Sequence, residues 1–248
     1  MTRVRLLSSL IFATLAGVAC TPSAAKPPLT PTADSANSLH GPSGLNSPDT
    51  PASPIVQTGA PVLRSRAADV EPARIPGAEI QSLIDRMIEV MRAAPGVGLA
   101  APQIGVPLRI LVLEDSDERM AKLTPAEIAE RERVVVPVRV FINPVLRPVG
   151  DDRRTFFEGC LSVDGYAALV ERHAEVEVTG LDRHGAPQTM HVRGWPARIL
   201  QHEVDHLDGT LYVDRMLSRS FSTAEQVRER FAGKPIAEVL AAFRTPGA

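Results

Sequence analysis

The stretch ILQHEVDHLDG, Ile199 to Gly209, sets two histidines four residues apart, with a glutamate directly after the first. The rest of the run reads as a buried helix. Pro196 can start that helix and Gly209 can end it. Positions i and i+4 lie on one helical face, one turn apart. His202 and His206 can therefore grip one metal ion together. Glu203 projects about 100° away and can reach a water at the metal without being a ligand. Two ligands plus a base for a water is the H-E-x-x-H logic of metal-dependent hydrolysis. The competing reading is a chance match, with both histidines held by ordinary hydrogen bonds. What separates the two is a third ligand.

Downstream, Glu225 and Glu229 are candidates for it. Upstream, the candidate is Cys160, in FFEGCLSVDG from Phe156 to Gly165. A lone cysteine is more often a small buried hydrophobe, but as a thiolate it completes a Cys/His/His site. A further element, APGVGLAAPQIGVP from Ala94 to Pro107, is built of small residues that let backbone come close to a ligand or to another segment. It lacks the Gly-Lys-Ser/Thr ending of a phosphate loop. Gln103 is the one amide in it, and a buried glutamine must place its donors somewhere.

Around these motifs, the apolar period of Ile80, Leu83, Ile84, Met87, Ile88 and Met91 predicts a helix stopped by Pro95. RILVLE from Arg109, VRVFINP and AEVEVTGLD predict strands. QTMHV is expected to pair with the last of these across a turn at Gly185. Glu114 to Arg133 is a charged insertion, partly helical. Thr223 to Phe243 reads as two helices broken at Gly233–Pro235. Strands and helices do not alternate regularly, which predicts an α+β fold.

The 248 residues suffice for one sizeable domain with an appendage. A net charge of −2 gives no sign of nucleic acid as a partner. Two cysteines, Cys20 and Cys160, are too few for a disulfide framework. Residues 1–19 have the layout of a signal peptide, with Arg3 and Arg5 ahead of a short apolar run. Cys20 stands where a bacterial lipoprotein carries its lipid, although Gly17 departs from the usual Leu. No acidic residue precedes Asp34, so an organelle transit peptide also fits, as does an unprocessed cytoplasmic tail. Residues 20–60 are rich in Pro, Ser and Thr and read as a disordered tether, dispensable for catalysis. The catalytic domain is expected over 61–218, followed by a helical tail over 219–248.

GVGLAAPQ, EGCLS and HEVDH, in that order, resemble the peptide deformylase family, and the wording around them is similar to its plant and mitochondrial branch. The resemblance spans about Pro61 to Leu217. It implies mixed and antiparallel strands around a central metal-binding helix. It implies one Fe²⁺, or Zn²⁺, Ni²⁺ or Co²⁺ in its place, held by Cys160, His202 and His206. It implies removal of the formyl group from N-formylmethionyl peptides, including nascent chains at the ribosome, with release of formate. Glu203 would be the general base and acid. The amide of Gln103 and the backbone N–H of Leu161 would hold the oxyanion. Val97, Gly98 and Leu99 would lie beside the peptide backbone, with Val97, Ile199 and the stem of Arg198 near the methionine side chain. The rival is an H-E-x-x-H endopeptidase with its third ligand downstream. Monomer and dimer both remain open.

Overall fold

The computed structural model describes residues 55–94 and 96–243. The leader, most of the tether, Pro95 and the last five residues lie outside the described residues. Among the described residues no helix is long and apolar enough to cross a membrane.

Helix α1, Ala78–Ala93, carries the apolar period read from the sequence, and its Ile80, Leu83, Ile84, Met87, Ile88 and Met91 are all buried. Strand β1, Gly98–Ala100, and a 3₁₀ turn over Ala101–Ile104 follow. Next comes β2, Ile110–Asp115. The charged insertion forms two short helices, α2 (Asp117–Met120) and α3 (Pro125–Glu130). Thr124 and Glu127 cap α3 reciprocally. Four strands come next: β3 (Val136–Pro148), β4 (Arg153–Cys160), β5 (Val163–His173) and β6 (Glu175–Leu181). Strand β7, Pro187–Arg193, pairs with β6 across a turn in which Gly185 has φ +83°. Helix α4, Trp195–Leu207, carries the two histidines. The chain closes with β8 (Ser222–Thr223), α5 (Ala224–Phe231) and α6 (Ile236–Phe243).

The strands form a five-stranded sheet, β1-β2-β3-β6-β7, and a three-stranded one, β4-β5-β8. Every ladder in both is antiparallel. The continuous apolar run of β2 has a direct cause. Ile110 and Val112 face α1, while Leu111 and Leu113 join Phe141 in packing against Trp195, Ile199 and Leu200 of α4. A strand covered on both faces has no polar alternation to show. Helix α4 lies among the strands, packing on β1, β2 and β3 and also on β5, β6 and β7. The α+β expectation holds.

Two boundaries need correction. The body begins before Pro61: Val56 N donates to Gln103 O (2.8 Å) and Thr58 N to Ser162 O (2.7 Å). The Gln57 side chain donates to Leu161 O (3.0 Å) and accepts from Asp164 N (3.3 Å). Polar and small residues hid this, because the pairing is through backbone and one amide. The C-terminal helices are no separate tail. Val227, Phe231 and Val239 form one core with Phe157, Ala167 and Leu169 of the smaller sheet. The break between them falls where expected, at Gly233 with φ +73°.

Candidate active site

Three segments meet at one cavity, lined by Gly96–Gly98 and Gln103, by 158–161, and by Arg198, Ile199, His202 and Glu203. Cys160 Sγ and one nitrogen from each of His202 and His206 lie within 4.8 Å of one another. Cys160 Sγ is 3.2 Å from His206 Nε2. The β4–β5 ladder shifts register between Gly159 and Cys160, a break in pairing at the residue that must leave the sheet for the site. Ser162 N (3.4 Å) and Gln103 Nε2 (3.6 Å) both donate to the sulfur, as suits a thiolate. This is the only such cluster among the described residues. A sulfur with two imidazoles suits a borderline transition metal such as Fe²⁺ or Zn²⁺. Glu225 and Glu229 are exposed on α5 and outside the cluster, so the downstream third ligand is not met.

Glu158 decides which nitrogen His202 can offer. His202 Nδ1 bonds Glu158 Oε2 at 3.0 Å, which leaves Nε2 free toward the site. Arg172 holds both oxygens of Glu158, and Arg198 Nη1 donates to Oε1 at 2.6 Å. Burial pushes the Glu158 carboxyl up, but Arg172, His202 and Arg198 together outweigh it and hold it well below the usual range. Arg172 also pairs with Asp205 on α4, which Arg215 grips through two bonds of 2.7 Å. Sequence reasoning missed Glu158, Arg172 and Asp205. The available signal was a carboxylate inside the apolar run FFEGC, which needs a buried cation to be tolerated.

Glu203 is 4 % exposed, and its Oε2 is buried without a partner. Burial pushes its carboxyl up to about 7, against the pull of His202. The carboxyl lies against Gly98, where an added Cβ would stand 2.8 Å from Glu203 Cδ and Cγ. Gly98 is needed for this close approach, not for a special turn. Gln103 answers its own question: its Oε1 accepts from Ala100 N (2.8 Å), so its NH₂ is the end that faces Cys160. Leu161 lines the cavity, as do Val97 and Ile199. Leu99 is different. Its side chain is fully buried against α1, so only its backbone can meet a ligand. Arg198 lines the cavity, and its head clamps Glu158, Val170 O and Arg154 O.

An α+β body that brings a thiol, two imidazoles and a buried carboxylate to one cavity has the parts of a metal-dependent hydrolase. The family model for polypeptide deformylase matches residues 52–221. The chain is 54 % identical over 173 residues to peptide deformylase 1A, chloroplastic/mitochondrial, of Arabidopsis thaliana, covering 70 % of this chain. It spans 64 % of that relative's length. It is 45 % identical over 178 residues to the human mitochondrial peptide deformylase, covering 72 % of this chain and 73 % of the relative. Among solved structures, the Met-Ala-Ser-bound class I type b peptide deformylase from Acinetobacter baumannii superposes with a TM-score of 0.58 at 31 % identity. That match covers 66 % of this chain and 97 % of the other. The chain belongs to the polypeptide deformylase family, a family of metal-dependent enzymes.

Proposed function

We propose that this chain hydrolyses the formyl amide of N-formylmethionyl peptides, including nascent chains at the ribosome, releasing formate. The observation that carries it is Glu203, a buried carboxylate with an unpartnered oxygen beside the Cys160, His202 and His206 donors. Those three would hold the ion. We propose Fe²⁺, the ion the family resemblance implies, with Zn²⁺, Ni²⁺ and Co²⁺ as substitutes that the same thiol and imidazole donors also suit. Bound there, the ion would supply Lewis acidity, making a water more acidic and the formyl carbonyl more electrophilic. Glu203 Oε2 takes a proton from the attacking water and later gives it to the leaving amine nitrogen. Gln103 Nε2 and the Leu161 N–H donate to the oxygen on which charge builds. The C–N bond then breaks, giving formate and a free N-terminal amine.

Strand β1 ends the five-stranded sheet, so an extended peptide can add along it beside Val97, Gly98 and Leu99. Val97, Ile199 and the Arg198 stem would receive the methionine side chain. The A. baumannii relative binds Met-Ala-Ser, a peptide that begins with an unformylated methionine, in keeping with such a product. The test is turnover of a formyl-Met peptide with casein as control. Hydrolysis of the formyl peptide alone is expected, and cleavage of casein alone would point to the endopeptidase. Cys160→Ser should lose its divalent metal on dialysis, whereas a retained equivalent would place the third ligand elsewhere.

Residues 1–19 we propose as a removable leader, ahead of the tether expected over 20–60. Relatives named chloroplastic or mitochondrial support delivery to an organelle, while Arg3, Arg5 and Cys20 support export with a lipid anchor. The intact mass of the mature chain separates these, and a retained Met1 would sink both.

A further inference from the structure

A cleft opens between the charged insertion and the C-terminal helices, and none of its wall residues belongs to the candidate active site. Its free space is about 300 Å³. One lip is α3 with its flanks Thr124 and Arg131. The other is α5, the turn over 232–235 and the start of α6, and β4 contributes Phe156 and Phe157. Protein interiors leave few voids larger than a water, so an opening of this size must be held apart. Two contacts hold it. Glu130 on α3 accepts from Ile236 N at 2.7 Å, which spans the two lips. Arg131, the next residue, lies over the rings of Trp195 at 4.9 Å and Phe156 at 5.9 Å, which ties the end of α3 to the body.

The lining is mostly apolar, with Phe156, Phe157, Val227, Phe231, Ile236 and Val239 as its large side chains. Its charged groups are two acids, Glu127 and Glu130, and two bases, Arg131 and Lys234, so their charges cancel. Glu127 caps α3 by accepting from Thr124, Glu130 holds Ile236 N, and Lys234 pairs with Glu238. Arg131 lies over its two rings, with Glu127 one helical turn before it. A charged guest would shed its hydration among phenyl rings and meet as many like charges as opposite ones.

We propose that this cleft binds one neutral, apolar small molecule of about twelve non-hydrogen atoms. The size follows from the volume. An apolar cavity of about 150 Å³ holds one benzene, and this cleft has roughly twice that space. It reaches the range of small-molecule sites, which begins near 300 Å³. Water among such walls is short of hydrogen-bond partners, so an apolar guest gains by displacing it. Phe157 is followed by Glu158, which bonds His202, so the cleft and the candidate active site are separate but share strand β4.

The probe is 1-aminonaphthalene, a dye uncharged near neutral pH whose emission changes in apolar surroundings, titrated into the full chain. A saturable response is expected. 1-Bromonaphthalene should displace the dye, while 1-naphthoate and 1-naphthylmethylammonium, the same ring with a charge of either sign, should not. A linear response, or displacement by a charged ring as readily as by the neutral one, overturns the proposal. Ala126 and Ala232 stand on opposite lips and are exposed, so Ala126→Phe and Ala232→Phe add a ring to the cleft without entering the core. Each should raise the half-saturating concentration by about 10-fold or more. An unchanged half-saturation in both would place the dye elsewhere and overturn the proposal. Crystals of the unaltered protein soaked in 1-bromonaphthalene give a reading that needs no variant. An anomalous bromine peak between α3 and α6 is expected, and its absence, or a peak in the candidate active site alone, also overturns the proposal.

Discussion

The burial of Glu203 costs the metal-free protein stability. Its value of about 7 stands above the ordinary 4.5 because burial disfavours the charged form. A raised acid contributes stability that is fully present below about 4.5 and lost as pH climbs through 7. For the metal-free protein that loss amounts to at most about 3 kcal/mol. Glu203→Gln removes it, so in chelator the variant should melt above the parent at pH 8 and close to it at pH 4.5. An equal difference at both pH values would refute the assignment. With metal restored, the same variant should keep its ion and lose about 100-fold or more in deformylation. Gly98 tests the neighbouring contact. In Gly98→Ala the new methyl meets the Glu203 carboxyl, and displacing this proposed base should lower kcat by on the order of 100-fold with metal content unchanged. Retention of normal kcat would mean that the carboxyl moves aside without cost.

At the scale of elements, β4 ties the smaller sheet to helix α4. Glu158 sits in it at 1 % exposure between Arg172, Arg198 and His202. Glu158→Gln leaves two buried guanidinium groups without their shared counter-charge, which should destabilise the protein by about 3–5 kcal/mol. It also releases the orientation of His202, and metal affinity should fall by about 10- to 100-fold. A variant with parental melting and metal binding would show that Asp205 alone suffices for the arginines. The elements legible in the sequence were those with clean periodicity, such as α1, or with β-branched runs, such as β2, β3 and β6. Strands β4 and β5 were not legible. In β4 a charged residue interrupts the apolar run, and in β5 Gly165, Ala167 and Ala168 replace the branched residues that signal a strand. The candidate pair His202 and His206 and the candidate base Glu203 could be picked out because helical spacing and residue chemistry coincide in HEVDH, whereas Cys160 stood beside Glu225 and Glu229 until the fold brought it to the histidines. Their supports could not, since Glu158, Arg172 and Asp205 find each other only through tertiary packing.

At the scale of the molecule, the segment Val56–Thr58 straps the two loops that carry Gln103 and Leu161. A chain starting at Ile55 should match the full-length rate. One starting at Pro61 loses the strap and should fall about 10-fold or more in kcat, because those loops carry the proposed oxyanion donors. Equal rates for the two chains would make the strap ornamental. The strap also gives the protein a mechanical polarity. A pull on the N-terminal end is resisted first by two backbone and two side-chain hydrogen bonds, all of them on the catalytic loops or next to them. A pull on the C-terminal end instead loads α6 and the aromatic packing of Phe231 and Phe243 on Phe157, the residue next to Glu158. Fixing the protein to a surface by one end or the other would therefore load the candidate site through the strap or through the closing helices and β4.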